Sequence, residues 1–210
     1  MTQGIQASRN GSRPLTESDR ESALDLLENG LRETPMYQWL LGDDAPTEAY
    51  RWYGEVLVAE NYHGLRGVFD ETGTLIALIA LAYPTRPAGD VDDELMARIR
   101  HFVRALDGFA ERFTELRRTQ KDAVTDNRAV EILFALVHPD HRRSGTLACL
   151  IDEVVEMGRR DDLPVVAGTA DATMSKVYVR RWDAPIRGEF TLTGGPTVWI
   201  HRIAPPGERR

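Results

Sequence analysis

Arg142, Arg143 and Gly145 stand between an apolar run, Val130–Val137, and a segment with Leu147, Leu150, Ile151, Val154 and Val155 on one helical face. A loop that opens a helix presents backbone N–H groups without intrahelical partners, and the helix dipole adds partial positive charge. Two guanidinium groups add whole charges, and a glycine lets the backbone come close to a phosphate. The pattern predicts a strand–loop–helix, residues 130–157, built for a phosphate-bearing ligand. An Arg-Arg-Ser-Gly string is common in exposed loops; the flanking elements give this one its meaning. The single cysteine, Cys149, falls among apolar residues of the same helix. That setting predicts a buried, inert thiol, and one cysteine excludes an intrachain disulfide.

The elements that must carry this loop are legible in the periodicity. Thr16 followed by Glu17, Ser18 and Asp19 is a helix start; Ala23, Leu24, Leu27 and Leu31 continue at helical spacing, and Pro35 marks the end. A second helix begins after Pro46 and carries Ala49, Trp52, Tyr53, Val56 and Leu57. Leu65–Phe69 and Leu75–Ala82 flank Asp70-Glu71-Thr72-Gly73-Thr74 and read as a hairpin, its second strand apolar on both faces. From Asp92 a long helix places Leu95, Ile99, Phe102, Leu106, Phe109, Phe113 and Leu116 on a seven-residue repeat. The stripe reads first as a helix laid on the domain's own core, with a homodimer seam or a lid as the alternative. After the strand–loop–helix come a strand at 164–168, a short helix at 173–181 and a closing hairpin, 188–192 with 197–203, around Gly194-Gly195-Pro196. This order gives a mixed α/β domain without internal repeat.

Composition bounds the function. Of 210 residues, 42% are hydrophobic and 28% charged, which is globular rather than disordered. The formal charge of −7 argues against nucleic acid as a partner and suits a cationic substrate such as an amine. No apolar run approaches the roughly 18 residues that span a bilayer. Residues 1–14 lack the apolar core of a signal peptide, so a cytoplasmic protein is expected.

The string Leu136-Val137-His138-Pro139-Asp140-His141-Arg142-Arg143-Ser144-Gly145 resembles the acetyl-CoA motif of the GNAT (GCN5-related N-acetyltransferase) superfamily. The order of elements from Thr16 to Ile203 is similar too, and the helical insert with Gly195-Pro196-Thr197-Val198-Trp199 resembles the puromycin-N-acetyltransferase-like branch. The resemblance implies an α/β (α+β) fold: one domain over 14–204, with a mostly antiparallel central sheet flanked by helices and a helical insert at about 91–120. A flexible arm, 1–13, and a tail, 205–210, lie outside it. It implies acetyl-CoA as co-substrate and no metal. Ala135, Leu136, Val137 and His138 would pair with the pantetheine arm, and Arg142, Arg143, Ser144, Gly145 and Thr146 would hold the pyrophosphate. Tyr178 stands where the family places its general acid, and Glu131 is the best-placed general base, with Asp171 second; His138 and His141 read as loop residues.

Leu147 departs from the motif, which has Gly or Ala there, and a leucine at that point would crowd the pyrophosphate. The Tyr178 helix also departs, with Asp171-Ala172-Thr173-Met174 before it and Arg180-Arg181-Trp182-Asp183 after it. The expected activity is transfer of an acetyl group to an amine of a small molecule or peptide by direct attack. A catalytically inactive acyl-CoA-binding protein of the same fold and a dimerisation module are the alternatives. Trp39, Trp52, Tyr53, Phe102 and Phe109 are candidate acceptor-pocket walls, or else packing residues.

Overall fold

The computed structural model describes residues 11–84, 89, 91–123, 126 and 128–208. Most of the expected 1–13 arm and the end of the 205–210 tail lie outside the described residues. Ser12 lies within them, and its backbone N–H donates to the Glu153 carboxylate at 3.0 Å.

Seven strands form one sheet in the order β1-β2-β3-β4-β5-β7-β6, antiparallel at every step except β4–β5. They are β1 (Arg13–Pro14), β2 (Leu65–Phe69), β3 (Leu75–Ala82), β4 (Val130–Val137), β5 (Val165–Thr169), β6 (Ile186–Thr191) and β7 (Thr197–Ile203). The β2–β3 hairpin forms where the turn chemistry put it. Asp70 accepts from the Thr72 and Thr74 amides at 2.9 Å each, and Gly73 takes φ +84°.

Five helices cover one face: α1 (Arg20–Arg32), α2 (Pro35–Leu41), α3 (Thr47–Asn61), α4 (Asp93–Ala105) and α5 (Phe109–Ala123). They share a core cluster with Leu78, Ala80 and Phe134 of the sheet. The other face carries α6 (Thr146–Asp161) and α7 (Ala172–Trp182), packed with Ile79, Val130, Ile132 and Ala167.

Two features differ from the sequence expectation. Pro35 does not only end a helix: it opens α2 as the first residue, where a missing N–H costs nothing. The insert is two helices, not one. Gly108 at φ +68° turns the chain after Leu106, and a left-handed residue cannot continue an α-helix. The apolar stripe nevertheless goes to the domain's own core: Leu95, Leu106, Phe109 and Leu116 are all buried in the cluster beneath α1 and α3. Phe102 stacks on Trp52 with centroids 4.7 Å apart, and Phe109 meets the same indole edge-on at 5.6 Å.

Candidate active site

The parallel pair β4–β5 is short. It holds Val130 to Val165, Glu131 to Val166 and Ile132 to Ala167, and then the strands part. β4 runs on to Val137, paired with β3 the whole way, while Gly168 and Thr169 of β5 follow β7 instead. A wedge therefore opens in the sheet, and residues 133–137 turn one backbone edge towards it. Just past the root of the wedge, β4 bulges: Phe134 opposes Ala80 and Ile132 opposes Leu81, which leaves Leu133 as the extra residue. The bulge reverses the alternation of faces. Val130 and Ile132 point to the α6–α7 side, as do Ala135 and Val137 after the bulge, whereas Leu133, Phe134 and Leu136 pack on the α1–α5 side. Gly30 of α1 makes room over this open half: a Cβ there would lie 2.7 Å from a Leu136 methyl.

At the tip of β4 the chain turns through the loop 138–145 into α6. The His138 amide donates to the Ile76 carbonyl at 2.8 Å and extends the β3 pairing by one residue. Its Nδ1 accepts from the Asp140 amide at 3.3 Å. Arg143 at φ 61° and Gly145 at φ +90° both adopt left-handed backbone, and Gly145 sits immediately before α6 with no side chain capping the first amides. A Cβ on Gly145 would meet nothing within 4 Å, so the approach to those amides is open. This is the cradle an anion needs. The two arginines differ. Arg142 donates to the Val137 carbonyl at 3.2 Å and pairs with Glu33, whereas Arg143 is exposed and makes no ion pair among the described residues. Ser144 Oγ is held by the His141 carbonyl and lies 2.7 Å from Thr146 Oγ1.

Tyr178 and Glu131 lie on opposite faces of the sheet near the root of the wedge. Tyr178 is 4% exposed and packs in the cluster that contains Val130, Ile132 and Leu150; burial pushes its phenol well above the ordinary value. Glu131 faces α5, where the Gln120 amide donates to it at 3.0 Å. Burial raises its carboxyl against the opposing pull of Gln120 and the Arg117 charge. Burial thus favours the protonated form of both groups, the phenol on one face of the sheet and the carboxyl on the other.

No family model and no curated protein matches the sequence. Solved structures do match the fold. A histone acetyltransferase HPA2 and related acetyltransferase from Corynebacterium glutamicum superposes with a TM-score of 0.67 at 13% identity, over 95% of this chain and 97% of that one. Arylalkylamine N-acetyltransferase 2 from Aedes aegypti gives 0.63 at 12% identity, over 92% and 97%. The protein yncA from Salmonella typhimurium, solved with its cofactor acetyl-CoA, gives 0.52 at 13% identity, over 97% and 98%. The chain has the GNAT fold.

Within that fold the remaining candidates sort by what they touch. Asp171 caps α7, accepting from the Thr173 and Met174 amides at 2.7 and 3.3 Å. Leu147 is half-buried and packs against the core cluster under α6. Cys149 is exposed, not buried, because the buried face of α6 is Leu150, Ile151, Val154, Val155 and Gly158 and the thiol lies off it. Trp52, Tyr53 and Phe109 are buried core residues and Phe102 packs on them.

Trp39 lines an open cavity of ≈ 620 Å³ between α2, α5 and the β6–β7 hairpin tip. Its Nε1 donates to the Thr193 carbonyl at 3.0 Å, and Glu115 accepts from the Thr193 amide at 2.7 Å. Asp43, Glu111 and Arg112 complete the charged part of the wall. The hairpin tip extends past Thr169, the end of β5, so the cavity lies at the end of the sheet towards which the wedge opens. Gln120, Arg117 and His201 were missed by the sequence reading. His201 is buried, Gln120 half-buried and Arg117 exposed, and a polar residue in a strand or on a helix carries no local signal of what it faces; only the register shows that.

Proposed function

We propose that the protein is an acetyl-CoA-dependent N-acetyltransferase acting on a cationic small-molecule or peptide amine. The observation that carries this is the combination, in one wedge, of an uncapped glycine-led helix start with Tyr178 and Glu131 on either side of the sheet. Acetyl-CoA supplies the acyl group as a thioester. The amides from Gly145 into the first turn of α6 hold the pyrophosphate, with Arg143 as the adjacent free charge; the inward edge of residues 133–137 pairs with the pantetheine amides as a strand would.

The acceptor enters through the cavity beside Trp39, whose carboxylates Asp43, Glu111 and Glu115 outnumber Arg112 and favour a cation. Glu131 takes a proton from the ammonium, and the freed amine attacks the thioester carbonyl. As the new C–N bond forms and the C–S bond breaks, Tyr178 gives its proton to the departing sulfur. The nitrogen releases its second proton, so each turnover yields amide, thiol and one proton. α5 links the two ends of this path: Glu111 and Glu115 line the cavity and Gln120 touches Glu131, a span of about 8–14 Å at ~1.5 Å per residue.

The test is native mass spectrometry for bound acetyl-CoA together with thiol release across an amine panel. Binding with release that Tyr178→Phe lowers by about 10²-fold or more supports the scheme. Binding without release from any amine would replace it with an acyl-CoA-binding protein.

A further inference from the structure

Behind Tyr178 lies a histidine that the acyl-transfer scheme does not use. His201, on β7, is 0% exposed, and its ring lies against the Tyr178 ring with centroids 5.1 Å apart and planes 17° from parallel. Nδ1 is 2.9 Å from the Ala184 carbonyl oxygen and Nε2 is 2.9 Å from Ser175 Oγ. A carbonyl oxygen can only accept, so the neutral ring carries its proton on Nδ1, and Nε2 accepts from the Ser175 hydroxyl.

Both partners flank Tyr178 along the chain. Ser175 is three residues before it, on the same face of α7, and is 6% exposed. Ala184 follows the helix end, where Asp183 turns the chain at φ 49°, and its N–H donates to the Tyr178 carbonyl at 3.3 Å. One imidazole therefore ties down both ends of the segment that carries Tyr178 and presses on the face of its ring. Trp182, with its centroid 5.3 Å away, adds a second ring contact. A face-to-face contact carries no proton, because the imidazole nitrogens donate and accept in the ring plane. What it controls is orientation.

We propose that His201, locked by Ser175 and the Ala184 carbonyl, is a positioning residue that fixes the plane and depth of the Tyr178 ring. The proposal rests on the reading of Tyr178 as the proton donor. A misplacement of about 1 Å in a reacting group costs up to ~10²-fold in rate, so loss of the brace should cost no more than loss of the Tyr178 hydroxyl itself.

Two measurements test it. The first is thiol release from acetyl-CoA with the best acceptor among spermidine, tyramine and glycine amide. Ser175→Ala and His201→Phe should each lower kcat by roughly 10-fold to 100-fold with KM for acetyl-CoA within about twofold. Neither should lower it further in a Tyr178→Phe background, and Ser175→Thr, which keeps the donor, should restore the rate. The second needs no acceptor: ¹⁹F spectra of the 3-fluorotyrosine-labelled protein, with the Tyr178 signal assigned by Tyr178→Phe. That signal should be narrow in the parent and exchange-broadened in Ser175→Ala.

Unchanged kcat and an unchanged ¹⁹F signal in folded Ser175→Ala would overturn the positioning role and leave the acid reading intact, as would effects that multiply with Tyr178→Phe. Turnover unaffected by Tyr178→Phe would remove the acid reading and this role with it. If His201→Phe does not fold, Ser175→Ala decides alone, since it deletes one hydroxyl.

Discussion

Replacing Leu147 by alanine separates two accounts of the residue that departs from the acetyl-CoA motif. In the structure its side chain is half-buried against the cluster of Leu150, Ile151 and the β3 and β4 residues beneath α6. Leu→Ala at a fully buried site costs about 2–5 kcal/mol, and a half-buried leucine at the edge of a cluster loses roughly half, ~1–2 kcal/mol. For a chain of this length each kcal/mol moves Tm by about 2–4 °C, so melting should fall by roughly 2–8 °C. If that packing is what the side chain serves, cofactor affinity should hold. Thermal melting and isothermal titration with acetyl-CoA on the same preparation read both quantities. A tenfold gain in affinity with Tm unchanged would mean that Leu147 crowds the pyrophosphate after all, and that the packing argument is wrong.

Glu131→Gln removes the proposed base and also a carboxylate whose folded pKa is raised by burial. A raised carboxyl pKa favours the folded state below the unfolded value and loses that contribution as pH rises through the folded one. The variant should therefore melt higher than the parent at pH 7 while turning over at least ~10²-fold more slowly, and the acid limb of the parent's kcat/KM profile should lie above the ordinary carboxylate range. Gly145→Ala introduces no clash, only the strain of an L-residue at φ +90°, about 1–2 kcal/mol; acetyl-CoA affinity should drop by up to roughly tenfold in a direct titration. His201 is held neutral by burial, so the unfolded chain binds its proton first as pH falls below about 6.5. Melting curves from pH 7.5 to 5.5 should show a smaller loss of stability in His201→Phe than in the parent.

Much of this was legible in the sequence where one local pattern sufficed. The β2–β3 hairpin came from its turn residues and apolar runs, and the strand–loop–helix of β4 and α6 from Arg142, Arg143 and Gly145 between an apolar run and an amphipathic segment. The wedge was not legible. It depends on where β4 and β5 stop pairing, and the bulge at Leu133 breaks the alternation that a strand reading assumes. The seven-residue repeat through Leu116 was real as burial and misleading as shape, since Phe102 and Phe109 reach the same indole from two helices joined at Gly108. Cys149 was misjudged because apolar neighbours in sequence are not neighbours on a helix face.

The wedge also bears on how the folded molecule avoids its own copies. Unpaired strand edges invite strands from other chains. The outer edges are poor templates: β1 is two residues long and contains Pro14, and β6 exposes Arg187 and Glu189. A longer edge, residues 133–137, is turned inward instead, roofed by α1 on one face and α6 on the other. A folded neighbour is too wide to reach it, while a single extended chain of amides can. The shape proposed to admit a pantetheine arm would thus act as a width filter, and a site left empty need not become a nucleus for aggregation.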